Sequence, residues 1–241
     1  MWLVPSGAAV VAAAFAAGLL QRYILRRRPA HLLWAVALLM YAAASLALAL
    51  GVRDGWSAAE YRWYWALGAV LNVPYLAAGE LFLLAEDRRV RLVVLVTLLF
   101  GTAFALARVR TGTLELVALA RDLPLGREAW ARDPFVLDLA RYYAFPAYFL
   151  LVGGTLWSAW RMRGRPGLRD RFHGTLGIAI GATVVAAGSA FAVAGQLVGF
   201  SATLAAGIAI MFWGFLRASR PVSVALEFES ADVVYERSEG A

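Results

Sequence analysis

The chain has 241 residues, of which 62% are hydrophobic and 16% are charged. Because a soluble domain carries only about 45–50% apolar residues, this composition excludes a water-soluble core and predicts a membrane protein. The chain has no cysteine and its 23 basic residues are all arginine, which excludes disulfides, thiolate chemistry and lysine Schiff bases.

Runs of about 20 apolar residues recur along the chain, each long enough for a helix to cross a hydrocarbon layer about 30 Å thick. They predict an all-α fold, a polytopic membrane protein with seven transmembrane helices. The predicted spans are residues 4–24, 31–50, 63–85, 90–107, 142–160, 174–195 and 198–216. The last two form one run of about twice the required length, so we expect the chain to fold back between Gly195 and Gly199.

Arginine is distributed unevenly between the two sides of these spans. Fifteen arginines follow spans one, three, five and seven, and eight follow the other spans. Arginine-rich loops stay in the cytoplasm, so the N-terminus is predicted outside the cell membrane and the C-terminus inside. Since the arginines only punctuate the apolar runs, nucleic acid is not an expected partner.

Two local motifs predict where helices begin. The sequence SAAE, from Ser57 to Glu60, has the pattern of a capping box and predicts that the third helix starts there. Asp133 followed by Pro134 has the pattern of an N-cap with proline at the first helical position. The fifth helix is therefore expected to start well before its membrane portion.

The third span carries unusual polarity for a membrane helix. Gly68, Asn72, Tyr75 and Gly79 fall on one stripe of a regular helix, and Pro74 frees backbone carbonyl groups near mid-membrane. Two interpretations remain open. The stripe either lines a polar ligand pocket, or it locks the helix to a neighbour through one interhelical hydrogen bond.

Glu80 is the one carboxylate well inside a predicted span, and an intramembrane acid is a candidate for proton or ligand chemistry. It lies close enough to the inner boundary to form, alternatively, an ion pair with Arg22, Arg161 or Arg217. The candidate ligand-binding residues are Asn72, Tyr75 and Glu80.

The connection over residues 108–141 is the one long loop between the spans. Within it, TLELVALARDLP (residues 113–124) could form a short amphipathic helix on the mouth of the bundle. This segment is either a lid over a cavity or a solvated linker held by ion pairs.

Span six repeats glycine at intervals of seven residues, at Gly174, Gly181, Gly188 and Gly195. A glycine groove lets another helix approach closely, so packing within the bundle is expected, with dimerisation as the alternative. His31 and His173 open spans two and six at one interface and could ligate a metal or haem. Two histidines without cysteines or a nearby acid cluster are a poor signal for such a site, however, and side chains that reach the interface are expected instead. No metal or cofactor is predicted.

Residues 1–220 thus form one predicted transmembrane domain, and residues 221–241 an acidic tail that is expected to be disordered in the cytoplasm. The first part of the tail, VSVALEFE, alternates apolar and polar residues and could instead add a strand to a partner's sheet.

Two segments carry a resemblance to other proteins: HLLWAVALLMYAAASLALALGVRDGWSAAEYRWYWALGAVLNVPYLAAGELFLL in the first half and LVGGTLWSAW in the second. With them, the chain resembles uncharacterised seven-helix membrane proteins of high-GC, actinobacteria-like bacteria. In plan it is also distantly similar to the seven-helix sensory regions of histidine kinases and to microbial rhodopsins. It departs from these because it has no lysine for retinal and no signalling domain.

Three functions are compatible with these features. The first is a receptor-like or accessory protein that binds a small ligand, a lipid, or a protein partner through its cytoplasmic loops or tail. The second is a small secondary transporter, with Asn72, Pro74 and Glu80 as substrate and proton elements and a cavity that reaches both faces. The third is a lipid-modifying enzyme with Glu80, His31 or His173 as acid or base. No catalytic residue is assigned.

Overall fold

The computed structural model describes residues 2–165 and 167–219. Seven of its helices are long and apolar enough to cross a membrane, which confirms the predicted all-α fold with seven spans. The helices are α1 (Leu3–Arg26), α2 (Pro29–Asp54), α3 (Ala58–Leu84), α4 (Arg88–Thr111), α5 (Pro134–Met162), α6 (Arg169–Val193) and α7 (Leu197–Ala218). The predicted tail lies outside the described residues.

The predicted helix boundaries are largely confirmed. The Ser57 hydroxyl accepts a hydrogen bond from the Glu60 amide at 3.2 Å, and the Glu60 carboxylate accepts one from the Ser57 amide at 3.0 Å, so the capping box forms. α5 begins at Pro134, but the Asp133 side chain makes no capping bond. That carboxylate instead pairs with Arg108 of α4 at 3.4 Å.

Six of the seven helices form a closed ring in the order α1, α2, α3, α5, α6, α7. α7 closes the ring on α1 through Phe15, whose ring lies 4.9 Å from that of Phe215, and on α2 through the Tyr41 hydroxyl, which donates to the Leu204 carbonyl at 2.8 Å. α4 lies outside the ring against α3 and α5. Only 6% of the residues in the most apolar stretch of α4 are buried, against 50% in that of α2. Most of α4 is therefore left to face lipid.

α6 and α7 pack backbone to backbone. A Cβ atom on Gly174 of α6 would lie 2.5 Å from the Gly214 carbonyl oxygen, and one on Gly214 would lie 2.6 Å from the Gly174 carbonyl oxygen. The glycine groove therefore packs within the bundle, as predicted. The next turn occurs at Gly195, whose φ of +70° is readily adopted only by glycine, and the chain folds back there as expected.

The up-and-down order of the helices gives the bundle two different ends. The arginine-rich end contains the turns after α1, α3 and α5, and the loop end contains the α2–α3 turn and the connection between α4 and α5. Assignment of the arginine-rich end to the cytoplasm stays a prediction.

The axis of the ring is apolar and closely packed. A gap of about 20 Å³ lies there, and each of the six ring helices contributes apolar side chains to its wall. One residue from each helix, in ring order, is Leu19, Leu38, Leu76, Leu151, Ile178 and Met211. The gap is therefore only large enough for about one water molecule.

Candidate functional site

The middle of α3 is not a regular α-helix. Residues Trp65–Leu71 form a π-helical stretch, and the Asn72 amide donates to the Leu67 carbonyl five residues earlier. This widened turn precedes Pro74, which has no amide hydrogen to donate. π-Helical turns often occur at functional sites, and the polar residues Asn72, Tyr75 and Glu80 follow this one.

Asn72 is 4% exposed and binds α2. Its Nδ2 atom donates to the Ala37 carbonyl at 2.7 Å. About one turn along the same interface, Trp34 Nε1 of α2 donates to the Leu76 carbonyl of α3 at 2.9 Å. α2 and α3 are thus joined by two reciprocal side-chain-to-backbone bonds. The interhelical hydrogen bond that was one of the two interpretations of Asn72 is present.

Tyr75 makes its polar contact on a different side of α3. Its hydroxyl lies 3.2 Å from the hydroxyl of Thr102 on α4, whereas Gly68 and Gly79 of the same predicted stripe face Ala44 and Trp34 of α2. Tyr75 is therefore a link between the ring and the peripheral helix α4.

Glu80 is 2% exposed and faces α5. The Ser158 hydroxyl donates to Glu80 Oε1 over a long distance of 3.4 Å. Among the described residues Glu80 has no basic partner: Arg217 pairs with Asp170 at 3.0 Å, and Arg22 lies over the ring of Phe215, 4.5 Å from its centroid. The predicted ion pair is not formed within the described part of the chain.

The three candidate ligand-binding residues therefore contact three different neighbours. Asn72 binds α2, Tyr75 binds α4, and Glu80 binds α5. They do not line one common cavity among the described residues, and their role in binding a ligand stays a prediction. The two histidines lie on α2 and α6, which are not adjacent in the ring.

A larger recess than the gap on the axis lies elsewhere, at the loop end, where the connection between α4 and α5 folds over the α2–α3 turn. Trp56 Nε1 of that turn donates to the Asp122 carbonyl at 3.0 Å. The Arg62 guanidinium donates to three carbonyl groups where α4 ends and the connection begins, those of Val109, Arg110 and Gly112. α3 therefore fixes where the connection lies.

An aromatic cluster packs the connection against α3. Trp130 is fully buried, and its ring centroid lies 6.2 Å from those of both Tyr61 and Trp65. Two ion pairs brace the connection itself, between Glu115 and Arg132 at 2.7 Å and between Arg121 and Glu128 at 3.5 Å.

The predicted amphipathic helix over residues 113–124 is wrong in extent. The segment contains only a five-residue 3₁₀-helix, Leu116–Ala120, and a four-residue α-helix follows at Gly126–Ala129. Pro124 disfavours helical backbone at the preceding residue, and the Asp122 carbonyl is used by Trp56. The connection is consequently a folded cap held by side chains from other elements rather than a continuous helix.

Between this cap and the α2–α3 turn lies an open concavity of about 860 Å³, called the loop-end concavity. Its charged lining residues are Arg53, Asp54, Glu60, Arg121 and Asp122, and its apolar lining includes Trp56, Leu116 and Leu119. Arg53 and Asp54 form an ion pair at 2.7 Å. Groups of both charges on an apolar floor can orient a small molecule that also carries both charges.

Sequence reasoning left open whether this connection is a lid over a cavity or a solvated linker, and it predicted none of the charged lining residues. The two Arg-Asp dipeptides of the recess, at residues 53–54 and 121–122, gave no distinguishing signal, because the same dipeptide also occurs at residues 132–133 and 169–170. Only the fold brings the two dipeptides to one recess.

The fold defines a seven-helix membrane protein of the all-α class. Comparison of the chain with known protein families, with curated proteins and with solved structures finds no match. Its function therefore has to be argued from the site itself.

Proposed function

We propose that this chain is a receptor-like or accessory membrane protein that binds a small polar ligand in the loop-end concavity. The observation that carries the proposal is the contrast in size and polarity between two spaces. The concavity measures about 860 Å³ and is lined by charged residues, whereas the gap on the axis measures about 20 Å³ and is lined by apolar side chains.

The chemistry of the lining favours a zwitterionic or otherwise doubly charged small molecule. Arg53 and Arg121 offer planar guanidinium groups that bind carboxylate or phosphate, and the carboxylates of Asp54 and Asp122 lie in the same recess. The Trp56 ring supplies an apolar surface beside them. A volume of several hundred cubic ångströms is the usual size of a small-molecule site.

The transporter hypothesis receives less support from the same observations. Alternating access needs a polar site near mid-membrane between the moving halves, whereas the gap between the six ring helices is lined by apolar side chains. Asn72, one of the residues it requires, is already bonded to the α2 backbone.

A lipid-modifying enzyme needs acid and base groups that converge. Glu80 lies between α3 and α5, whereas His31 and His173 lie on α2 and α6. The enzyme alternative therefore receives the least support of the three functions.

With the arginine-rich end in the cytoplasm, the loop-end concavity opens on the outer side of the cell membrane. The proposal then assigns ligand binding to the outer face, and contact with a protein partner to the cytoplasmic loops or tail. The same proposal includes that the chain is a member of the group of seven-helix membrane proteins of high-GC bacteria that it resembles.

Native mass spectrometry of the protein released gently from its own membranes tests the proposal. A bound small molecule of defined mass is expected on the wild-type chain and on Arg127→Gln, which changes an exposed arginine of the same connection that does not line the recess. The mass should be lost from Arg53→Gln and Arg121→Gln. A bare wild-type protein, or equal occupancy in all four proteins, would contradict the proposal.

A further inference from the structure

Glu80 occupies a recess that α3 and α5 build together, called the α3–α5 seam. Gly154 of α5 faces the stem of the side chain: a Cβ atom there would lie 2.7 Å from Glu80 Cγ and 3.3 Å from Oε1. One turn further along α5, the Ser158 hydroxyl points at the same oxygen. Gly154 has no side chain and therefore leaves room for the Glu80 carboxyl group, while Ser158 supplies a hydrogen-bond donor to it.

The neighbouring helices supply no counter-charge to this carboxyl. The charged and titratable groups that they carry toward the same end are His31 on α2, Arg88, Arg89 and Arg91 on α4, and Arg161 on α5. Arg91 donates to the Ala85 carbonyl at 2.8 Å instead. Within residues 2–165 and 167–219, none of these groups forms a hydrogen bond or an ion pair with Glu80.

A carboxylate in this recess would be a buried charge with a single long hydrogen bond. An ionised carboxylate can accept about four hydrogen bonds, and a buried charge without a partner is more costly than the neutral acid. Glu80 also lies four residues from the end of α3 at Leu84, about 6 Å along the axis at 1.5 Å per residue. Glu80 therefore lies about one helical turn from the end of α3 at the arginine-rich end of the bundle.

We propose that Glu80 is a proton-binding site, loaded when α3 and α5 are packed together and released toward the arginine-rich end when the α3–α5 seam opens. Packing and proton uptake then stabilise each other, because a group that binds a proton in only one of two states shifts the balance between them with pH. The site is independent of the ligand proposed for the loop-end concavity, which lies at the other end of α3.

Labelling with dicyclohexylcarbodiimide, a membrane-soluble carbodiimide, tests the proposal on the full chain in its own membranes. The reagent takes the proton of a neutral carboxylic acid on one nitrogen while the carboxyl oxygen bonds to its central carbon. An oxygen-to-nitrogen shift then leaves an N-acylurea that contains the whole reagent. Mass spectrometry of the Glu80 peptide should show this added mass, and labelling should decline from mildly acidic to alkaline pH.

Glu80→Gln should abolish the adduct on that peptide. Glu60 provides a matched comparison, because its carboxylate belongs to the exposed capping box at the loop end. It should react with a water-soluble carbodiimide and an amine, and Glu80 should not. An unlabelled Glu80 peptide at both acidic and neutral pH, or labelling that does not change with pH, would overturn the proposal.

Thermal stability in detergent gives a second and separate readout. Glutamine resembles the neutral acid and has no proton to lose. Glu80→Gln should therefore unfold at about the wild-type temperature at mildly acidic pH and should lack part of the wild-type decline as the pH rises toward neutral, because only the unfolded wild-type chain loses a proton there. Glu60→Gln should keep that decline. A Glu80→Gln variant that follows the wild-type pH profile at a uniformly lower temperature would contradict proton binding and favour a structural charge.

Ser158→Ala keeps the carboxyl group and therefore tests the site even if Glu80→Gln fails to fold. The Ser158 hydroxyl donates to the carboxyl oxygen, an interaction that favours the ionised form. Labelling of Glu80 in Ser158→Ala should therefore persist to more alkaline pH than in wild type. Loss of labelling in the folded variant would contradict the proposal.

Discussion

The axis of the helix ring and the loop-end concavity differ in polarity, because apolar side chains line the first and charged side chains line the second. Within the ring, the Asn72 and Trp34 side chains donate hydrogen bonds to backbone carbonyl groups of the facing helix. The gap of about 20 Å³ on the axis is lined by apolar side chains. At the loop end, charged side chains line an open recess of about 860 Å³. A polar residue inside a membrane helix is thus no guide to a ligand site unless its hydrogen bonds are still available.

The largest effect that we expect concerns the closure of the ring. Gly174→Ala would place a methyl group 2.5 Å from the Gly214 carbonyl oxygen, and overpacking of this kind costs about 1–3 kcal/mol, more where backbone must move. The thermal midpoint in detergent should fall sharply or the bundle should fail to assemble.

Gly153→Ala is the matched control, because a Cβ atom there meets nothing within 4 Å. It should be neutral or slightly stabilising, since alanine favours helix over glycine by about 1 kcal/mol. Equal destabilisation by the two changes would contradict the close packing of α6 and α7.

The next effect concerns the cap over the concavity. Arg62→Gln removes the charge-assisted bonds of one guanidinium nitrogen, whose two N–H groups are shared among three carbonyl groups. A hydrogen bond to a charged group contributes about 1.5–3 kcal/mol. Amide hydrogen exchange over residues 113–125 should accelerate, while exchange in α6 and α7 stays unchanged. Arg127→Gln should leave both regions unchanged, and a cap with wild-type protection in Arg62→Gln would show that the guanidinium does not hold it.

Asn72→Leu should have a moderate effect. It removes the bond to the Ala37 carbonyl, and interhelical hydrogen bonds in membranes contribute about 0.6–2 kcal/mol. The free energy of unfolding should fall by that amount, and Trp34→Phe, which removes the reciprocal bond, should have a similar effect. Unchanged stability together with loss of a bound molecule would instead favour the ligand-pocket interpretation of Asn72.

Arg121→Gln should have the smallest effect on stability. The side chains of Arg121 and Glu128 are 58% and 37% exposed, and such surface pairs contribute about 0–1 kcal/mol. The melting temperature should therefore stay near that of wild type while ligand occupancy falls. A large loss of stability would mean that the arginine shapes the concavity rather than contacts its ligand.

Several features could be predicted from short sequence patterns because their causes are local. The capping box at Ser57 follows from residues within one turn of each other. The fold-back at Gly195 follows from an apolar run too long for one span and from the glycine within that run. The interhelical bond of Asn72 follows from the cost of an unpaired amide in hydrocarbon, although its acceptor on α2 could not be identified.

Other features depend on contacts distant in sequence and could not be predicted. α4 has the same apolar composition as the ring helices, and lipid and protein interior are alike in polarity, so hydropathy cannot place it outside the ring. The recess for Glu80 depends on Gly154 and Ser158, more than 70 residues away. The loop-end concavity forms only when residues 121–122 fold over residues 53–54.

Cysteine accessibility tests the central claim, that water and ligand reach the loop-end concavity but not the axis of the ring. The natural chain has no cysteine, so single variants need no further background changes. Asp122→Cys in the concavity and Leu38→Cys on the axis would be exposed to a membrane-impermeant, cationic thiol reagent added from each side in turn. Rapid modification of Asp122→Cys from one side only, with Leu38→Cys unreactive from both sides, is the predicted result. Modification of Leu38→Cys from both sides would show a hydrated axis and would contradict the account in favour of transport.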